Sequence, residues 1–216
     1  MKARTLPRAS ASGSTLGARE RVLSAAYDLF SRQGIRAVGI DTIIARAGVA
    51  KMSFYRHFPS KDELVLAFLQ KREQLWTHEW LEAEVNRRAV TPRKRLLAIF
   101  DVFDEWFQRE DFEGCSFINV LLEVVDADHP ARQATTSHLA NIRVLLRALA
   151  EGAGVARSDD FARKWHILMK GSIVAAGEGD RLAARRAQEV GRLLLAAELD
   201  GRRGQPHERM AEPCSG

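Results

Sequence analysis

Between residues 16 and 200 the apolar side chains recur every three or four positions and almost never alternate. Such spacing puts apolar groups on one side of a helix, so the chain is expected to fold as packed helices. Val22, Leu23, Ala26, Leu29 and Phe30 form one face of a first helix, expected from about Leu16 to Gln33 with Gly34 as its stop. Two short helices are expected over 40–47, closed by Gly48, and over 50–57, with Pro59 beyond. Ser60-Lys61-Asp62-Glu63 has the capping-box pattern and opens a long helix carrying Leu64, Phe68, Leu75 and Trp76. Thr91-Pro92 starts another helix, with Leu96, Phe100, Phe103 and Phe107 on one side. Residues 117–125 are short and apolar, and composition alone fits either a helix or a buried strand. Asp128-His129-Pro130 begins a helix that Gly152 and Gly154 end, and Ser158 is read as the cap of the next. A last helix carries Val190, Leu193, Leu194 and Ala197. The expected fold is all-α, with about nine helices.

Charge divides this helical chain unequally. Residues 1–62 hold eleven Lys or Arg against four acids, a net +7, while the whole chain carries +5. The remaining residues are therefore slightly acidic, at −2. A basic first third joined to an acidic remainder points to a nucleic-acid module attached to something else. Residues 1–15 read as a flexible basic arm, whose Lys2, Arg4 and Arg8 either dip into a minor groove or belong to a tail without a role. Residues 201–216 read as a disordered tail.

Several classes are excluded. No stretch has the apolar length of a membrane span, and no signal-peptide core follows the basic start, so a cytoplasmic protein without a membrane partner is expected. Two cysteines, Cys115 and Cys214, make no disulfide framework and no zinc spacing. Cys115 has acidic and apolar neighbours and reads as a structural thiol. His78-Glu79 with Glu82 lacks the second histidine of a metal helix and reads as surface. Neither phosphate-cradling glycine motif occurs, and no nucleophile–base pair stands out. No enzyme, cofactor or metal is expected.

The informative stretch is IDTIIARAGVAKMSFYRHFPSK, from Ile40 to Lys61. Two short helices meeting at Ala47-Gly48-Val49 have the layout of a helix-turn-helix, whose second helix enters the major groove. That groove is about 12 Å wide and admits one helix. Phe54 and Phe58, four apart, anchor the inner face. Lys51, Met52, Ser53, Tyr55 and Arg56 then point outward, with His57 and Lys61 where the chain leaves the groove. Lys51, Met52, Ser53 and Arg56 are candidates for base edges, and Tyr55, His57 and Lys61 for phosphates.

Residues 19–64 resemble the N-terminal domain of the TetR/AcrR family of one-component transcriptional regulators. The likeness rests on the first helix ending at Gly34, on IIARAGV and above all on FYRHFPSKDEL. Gly114-Cys115-Ser116-Phe117-Ile118-Asn119 is similar to a segment found in one branch of that family. Gly39 and Ala50 stand where the family commonly has Thr and Ser; neither offers a hydroxyl, and Thr42 is taken as the substitute contact.

The resemblance implies a three-helix DNA-binding head over 16–64 and a helical effector-binding and dimerisation domain over 65–200. It also implies a homodimer on double-stranded operator DNA and a small-molecule effector, with the helix from Ser60 carrying effector state to the head. Trp76, Trp80, Phe100, Phe103, Trp106, Phe107, Phe117, Trp165 and Met169 are the candidate apolar lining of an effector pocket, and Asn119, Glu123 and His166 its polar groups; the alternative is ordinary core for each aromatic residue and a hydrogen-bonded core histidine for His166. Small residues Gly171, Ser172, Ala175, Ala176, Ala183, Ala184, Ala187 and Gly191, with Leu193 and Leu194, suit a four-helix dimer interface. The function expected is a repressor released from a near-palindromic site by an apolar effector. The alternative is a constitutive or architectural DNA-binding dimer.

Overall fold

In the computed structural model of the protein, residues 16–200 are described. The elements are α1 (Ala18–Ala37), α2 (Ile40–Ala47), α3 (Lys51–His57), α4 (Lys61–Arg72), α5 (Ala83–Arg88), α6 (Pro92–Phe107), α7 (Ser116–Glu123), α8 (Pro130–Gly152), α9 (Ser158–Gly177) and α10 (Ala183–Asp200). A π-helical stretch, Glu73–Glu82, joins α4 to α5 without a break. Counting that rod as one, the described residues form nine helices and no strand. The arm and tail expected at 1–15 and 201–216 lie outside the described residues. No helix among the described residues is long and apolar enough to cross a membrane.

Local chemistry explains the boundaries. Gly34 has φ 77° and ψ 167°, a conformation open essentially to glycine alone, and it kinks the chain three residues before α1 ends. The residues flanking 117–125 settle the earlier ambiguity in favour of a helix, α7. Cys115 is its N-cap residue, and the Asn119 N–H donates to the Cys115 carbonyl at 3.0 Å. Ser60 Oγ accepts from the Glu63 N–H at 3.2 Å, and Thr91 Oγ1 from Lys94 at 3.4 Å with Pro92 following. Ser158, however, is the first residue of α9 rather than its cap. Arg157 holds the cap position, and the Ser158 hydroxyl donates instead to Glu151 Oε1 at 3.1 Å.

Two cores result. One joins α1, α2, α3 and the start of the rod, and it takes in Phe117 and Val120 of α7 and Ala131 and Leu139 of α8. The other joins the rod from Trp76 onward to α6, α9, α10 and the second half of α8. Arg72 lies between them, buried, with its guanidinium donating to the Tyr27 hydroxyl at 3.0 Å. Such a cation is tolerated because its donor is partnered and its charge lies over the Tyr27 ring, 5.6 Å from the centroid.

The rod is wound more loosely than an α-helix for a reason visible in its burial. Buried residues recur at Leu64 and Val65, Phe68 and Leu69, Arg72, Trp76 and Thr77, Trp80 and Leu81, Glu84 and Val85. That is a step of four. In an α-helix each such step turns the stripe by about 40°. Over the five steps from Leu64 to Glu84 the drift would reach about 200°. The wider i→i+5 turns of the π stretch take up much of this excess, so one rod can serve both cores.

Candidate nucleic-acid interface and ligand cavity

The head is built around α3. Gly48 ends α2 with φ 61° and ψ 43°, and its N–H donates to the Ala45 carbonyl at 3.3 Å. This left-handed residue turns the chain sharply enough to bring α3 across α2. Phe54 and Phe58 are buried as their spacing predicts, beside Ile43 and Ala47 of α2. The Arg19 guanidinium covers the Phe58 ring at 5.2 Å, tying α1 to the end of α3.

The opposite face of α3 is open. Lys51, Met52, Tyr55, Arg56 and His57 are exposed, Ser53 is half-buried, and Thr42 on α2 is exposed. Lys61, at the start of the rod, is half-buried. Met52 is 77% exposed and stands on this open face between Lys51 and Ser53. Tyr55 meets Phe54 edge-on, with centroids 5.2 Å apart at 84°, and is 40% exposed. Lys51 Nζ lies 3.6 Å from Asp41 Oδ1, a loose and exposed pair that leaves the ammonium available. No side chain caps the N-terminus of α2 or α3, at Gly39 and Ala50. Their first N–H groups therefore remain suited to an anion such as phosphate.

In the body, most of the aromatic candidates meet one another. Trp76 contacts Trp80, Phe103 and Trp106; Phe107 contacts Phe103, Trp106 and Phe112. Trp165 lies against Phe100 and Phe161. Phe117 belongs to the head's core and stacks on His138, 3.5 Å between centroids. Asn119 is half-buried on α7. Glu123 faces the head: its Oε2 accepts the backbone N–H of Arg36 at 2.7 Å, and Arg36 Nη1 donates to the Glu123 carbonyl at 3.4 Å.

His166 is buried with no partner for Nδ1. Burial, aided by the charges of Lys170, Arg143 and His138, brings its pKa down to about 3, so it is neutral at physiological pH. Burial also lowers the pKa of His138, against the opposing hydrogen bond and charge of Glu73, whose Oε1 lies 3.1 Å from Nδ1. Cys115 is partly exposed as a residue, but its thiol is enclosed and burial pushes its pKa up. That disfavours the thiolate and agrees with a structural thiol.

One open volume lies to one side of the aromatic cluster. A cavity of about 390 Å³ is bounded by the π stretch and α5 (Thr77, Leu81, Val85), by α6 (Ile99) and by α8 (Ile142, Leu146). Of the effector candidates named from sequence, Met169 lines it. Aliphatic side chains form its depth, and aromatic content gave no signal for them. The signal available was the four-residue step of the rod, which turns Thr77, Leu81 and Val85 toward α8.

A family model described as bacterial regulatory proteins, tetR family, matches residues 22–68. The transcriptional activator FasR of Mycolicibacterium smegmatis is 36% identical over 92 residues, 43% of this chain and 41% of FasR. The transcriptional repressor NemR of Escherichia coli is 26% identical over 136 residues, 62% of this chain and 68% of NemR. The match spans less than half of FasR and about two thirds of NemR. A crystal structure of a TetR-type regulator from Streptomyces avermitilis is 32% identical, with a TM-score of 0.76, and covers 85% of this chain and 98% of that one. The chain belongs to the TetR family.

TetR-family proteins are helix-turn-helix transcriptional regulators, not enzymes, and that is the class of this chain. The matched residues 22–68 run from α1 through the helix-turn-helix into the rod, so the family's shared part is the head and its exit. The small-residue stripe is largely used inside the subunit. Ser172, Ala183, Ala184, Ala187 and Gly191 are buried, and a methyl on Gly191 would lie 2.9 Å from the Trp165 ring. What α9 and α10 leave open is Ile167 and Val174, and Val190 and Leu193.

Proposed function

We propose that this TetR-family chain is a ligand-responsive repressor that binds its operator as a homodimer and leaves it when a small, largely apolar effector fills the cavity beside the rod. The observation that carries this reading is the rod itself. Its first turn follows the recognition helix directly, and the same helix supplies Thr77, Leu81 and Val85 to the cavity wall. A ligand that binds one position of the rod better than another shifts the head with it.

On DNA, Lys51, Met52, Ser53 and Arg56 face base edges, and Tyr55, His57, Lys61 and Thr42 face phosphates. Met52 suits a thymine methyl. The exposed Ile167, Val174, Val190 and Leu193 make the contact with a second copy through α9 and α10, setting two recognition helices about 34–36 Å apart. Repression is carried over from the repressor NemR; FasR is an activator, so the sign of regulation is part of the test.

The experiment selects genomic DNA with the purified chain and measures binding of the recovered site by fluorescence anisotropy. Tyr55→Ala and Arg56→Ala each weaken it at least tenfold. An effector raises the melting temperature and releases the DNA. Wild-type affinity in both variants would sink the assignment of α3 as the reading helix.

A further inference from the structure

The cavity beside the rod differs chemically between its depth and its rim. Leu81, Val85, Ile99, Ile142, Leu146 and Met169, all buried, make most of the depth hydrocarbon, and the Thr77 hydroxyl is the polar group buried among them. The rim carries one cation, Arg95, half-buried in the first turns of α6. Its Nε donates to the Ala89 carbonyl at 3.1 Å, which fixes the plane of the guanidinium. No ion pair engages Arg95 among the described residues, whereas Arg87, Arg88, Arg109, Arg157 and Arg185 each have one. The one acid in the lining, Glu82, is already taken by His78 Nδ1 at 2.7 Å.

We propose that the cavity takes an apolar monocarboxylic acid, its carboxylate on Arg95 and its hydrocarbon body against Leu81, Val85, Ile142 and Met169. This rests on the reading of the cavity as the effector site and adds the ligand's chemical class. A guanidinium of fixed plane presents paired N–H donors that match a carboxylate, and partial burial strengthens the bond. A neutral molecule of the same length fills the chamber equally well but leaves those donors to water. The volume falls within the range of about 300–1,000 Å³ usual for small-molecule sites.

The test compares octanoate with 1-octanol on the full chain by titration calorimetry at neutral pH. Wild type is expected to favour octanoate by about tenfold to a hundredfold, the worth of a charge-assisted hydrogen bond. Arg95→Met, which keeps the apolar stem, loses that preference and holds 1-octanol within about twofold of wild type. Arg95→Lys keeps part of it. Ala148→Trp, at an exposed position in the lining, blocks the mouth and weakens both probes. An octanoate preference that survives Arg95→Met overturns the ligand class and leaves the cavity reading standing. Undiminished binding of both probes to Ala148→Trp overturns the cavity reading itself. Absence of binding by either probe at millimolar concentration also overturns the class.

Discussion

The Glu123 carboxylate, at the end of α7, accepts the backbone N–H of Arg36 at 2.7 Å, two residues past the kink that ends the regular part of α1. Glycine at 34 makes this approach possible, since a methyl there would lie 2.4 Å from Glu123 Oε1. The same end of α7 is held from α8 as well: Arg132 Nη1 donates to the carbonyls of Leu121 and Val124 at 2.8 and 2.5 Å. A chain of polar contacts thus runs from α8 through α7 to the segment just before α2.

Gly34→Ala is expected to destabilise the protein by about 2 kcal/mol or more, combining the clash with a backbone conformation closed to alanine. Adding Glu123→Ala removes the clash but not the backbone strain, so the double variant recovers only part of the loss. Urea unfolding of the four proteins in the cycle measures the coupling. Strict additivity would mean that Glu123 and Gly34 do not press on each other in solution.

Lys51→Ala should weaken operator binding mainly by relaxing the preference at one base position, because Lys51 faces a base edge. A uniform loss across all sequences, with the salt slope reduced by about one counterion, would move Lys51 to the phosphates. Anisotropy titrations over a range of salt, on the operator and on single-base variants, separate the two.

Thr77 is 1% exposed, and its hydroxyl has no hydrogen-bond partner. An α-helical threonine in such a place commonly turns its hydroxyl to the carbonyl four residues earlier. Thr77→Val keeps the shape and removes the unpaired group, so it should stabilise the ligand-free protein by about 1 kcal/mol, or about 2–4 °C in melting temperature. A lower melting temperature would show that the hydroxyl holds a partner in solution.

His166 links stability to pH. Its pKa falls from 6.5 to about 3 on folding, so below pH 6.5 the unfolded chain binds a proton that the folded chain refuses. Its contribution is complete above pH 6.5 and is lost as pH falls toward 3, at up to about 1.4 kcal/mol per pH unit. The lowered pKa of His138 acts in the same direction. Urea midpoints at pH 7 and pH 5 should differ in wild type and differ less in His166→Phe. An equal pH dependence in both proteins would refute the account.

Local signals carried most of the helix boundaries. Gly34, Gly48, Ser60 and Thr91-Pro92 each act within one turn of the chain, so the sequence alone places them. Phe54 and Phe58 were legible for the same reason, since two large apolar groups four apart on a short helix must face inward. Ser158 misled because Arg157 takes the cap position and Glu151 claims the serine hydroxyl, a partner seven residues away. The aromatic residues of the body were legible as apolar and not as lining. Trp76, Phe103, Trp106 and Phe107 satisfy one another, and the space remains where branched aliphatics from three helices fail to meet. Glu123 was conspicuous as an acid in an apolar helix, but its partner is a backbone N–H 87 residues away, which no spacing rule reaches.

The wide turns at Glu73–Glu82 give the rod slack. An α-helix has none, because one residue removed rotates everything beyond it by about 100°. A π turn can surrender a residue and close to α geometry, so that the two ends keep their facing. The rod can thus tighten or loosen by one residue without giving up its hydrogen-bonded ladder. A single-residue deletion in the middle of this long, half-buried helix is best tolerated where the two cores meet, and least tolerated in α6, where Phe100 and Phe103 would swing out of place.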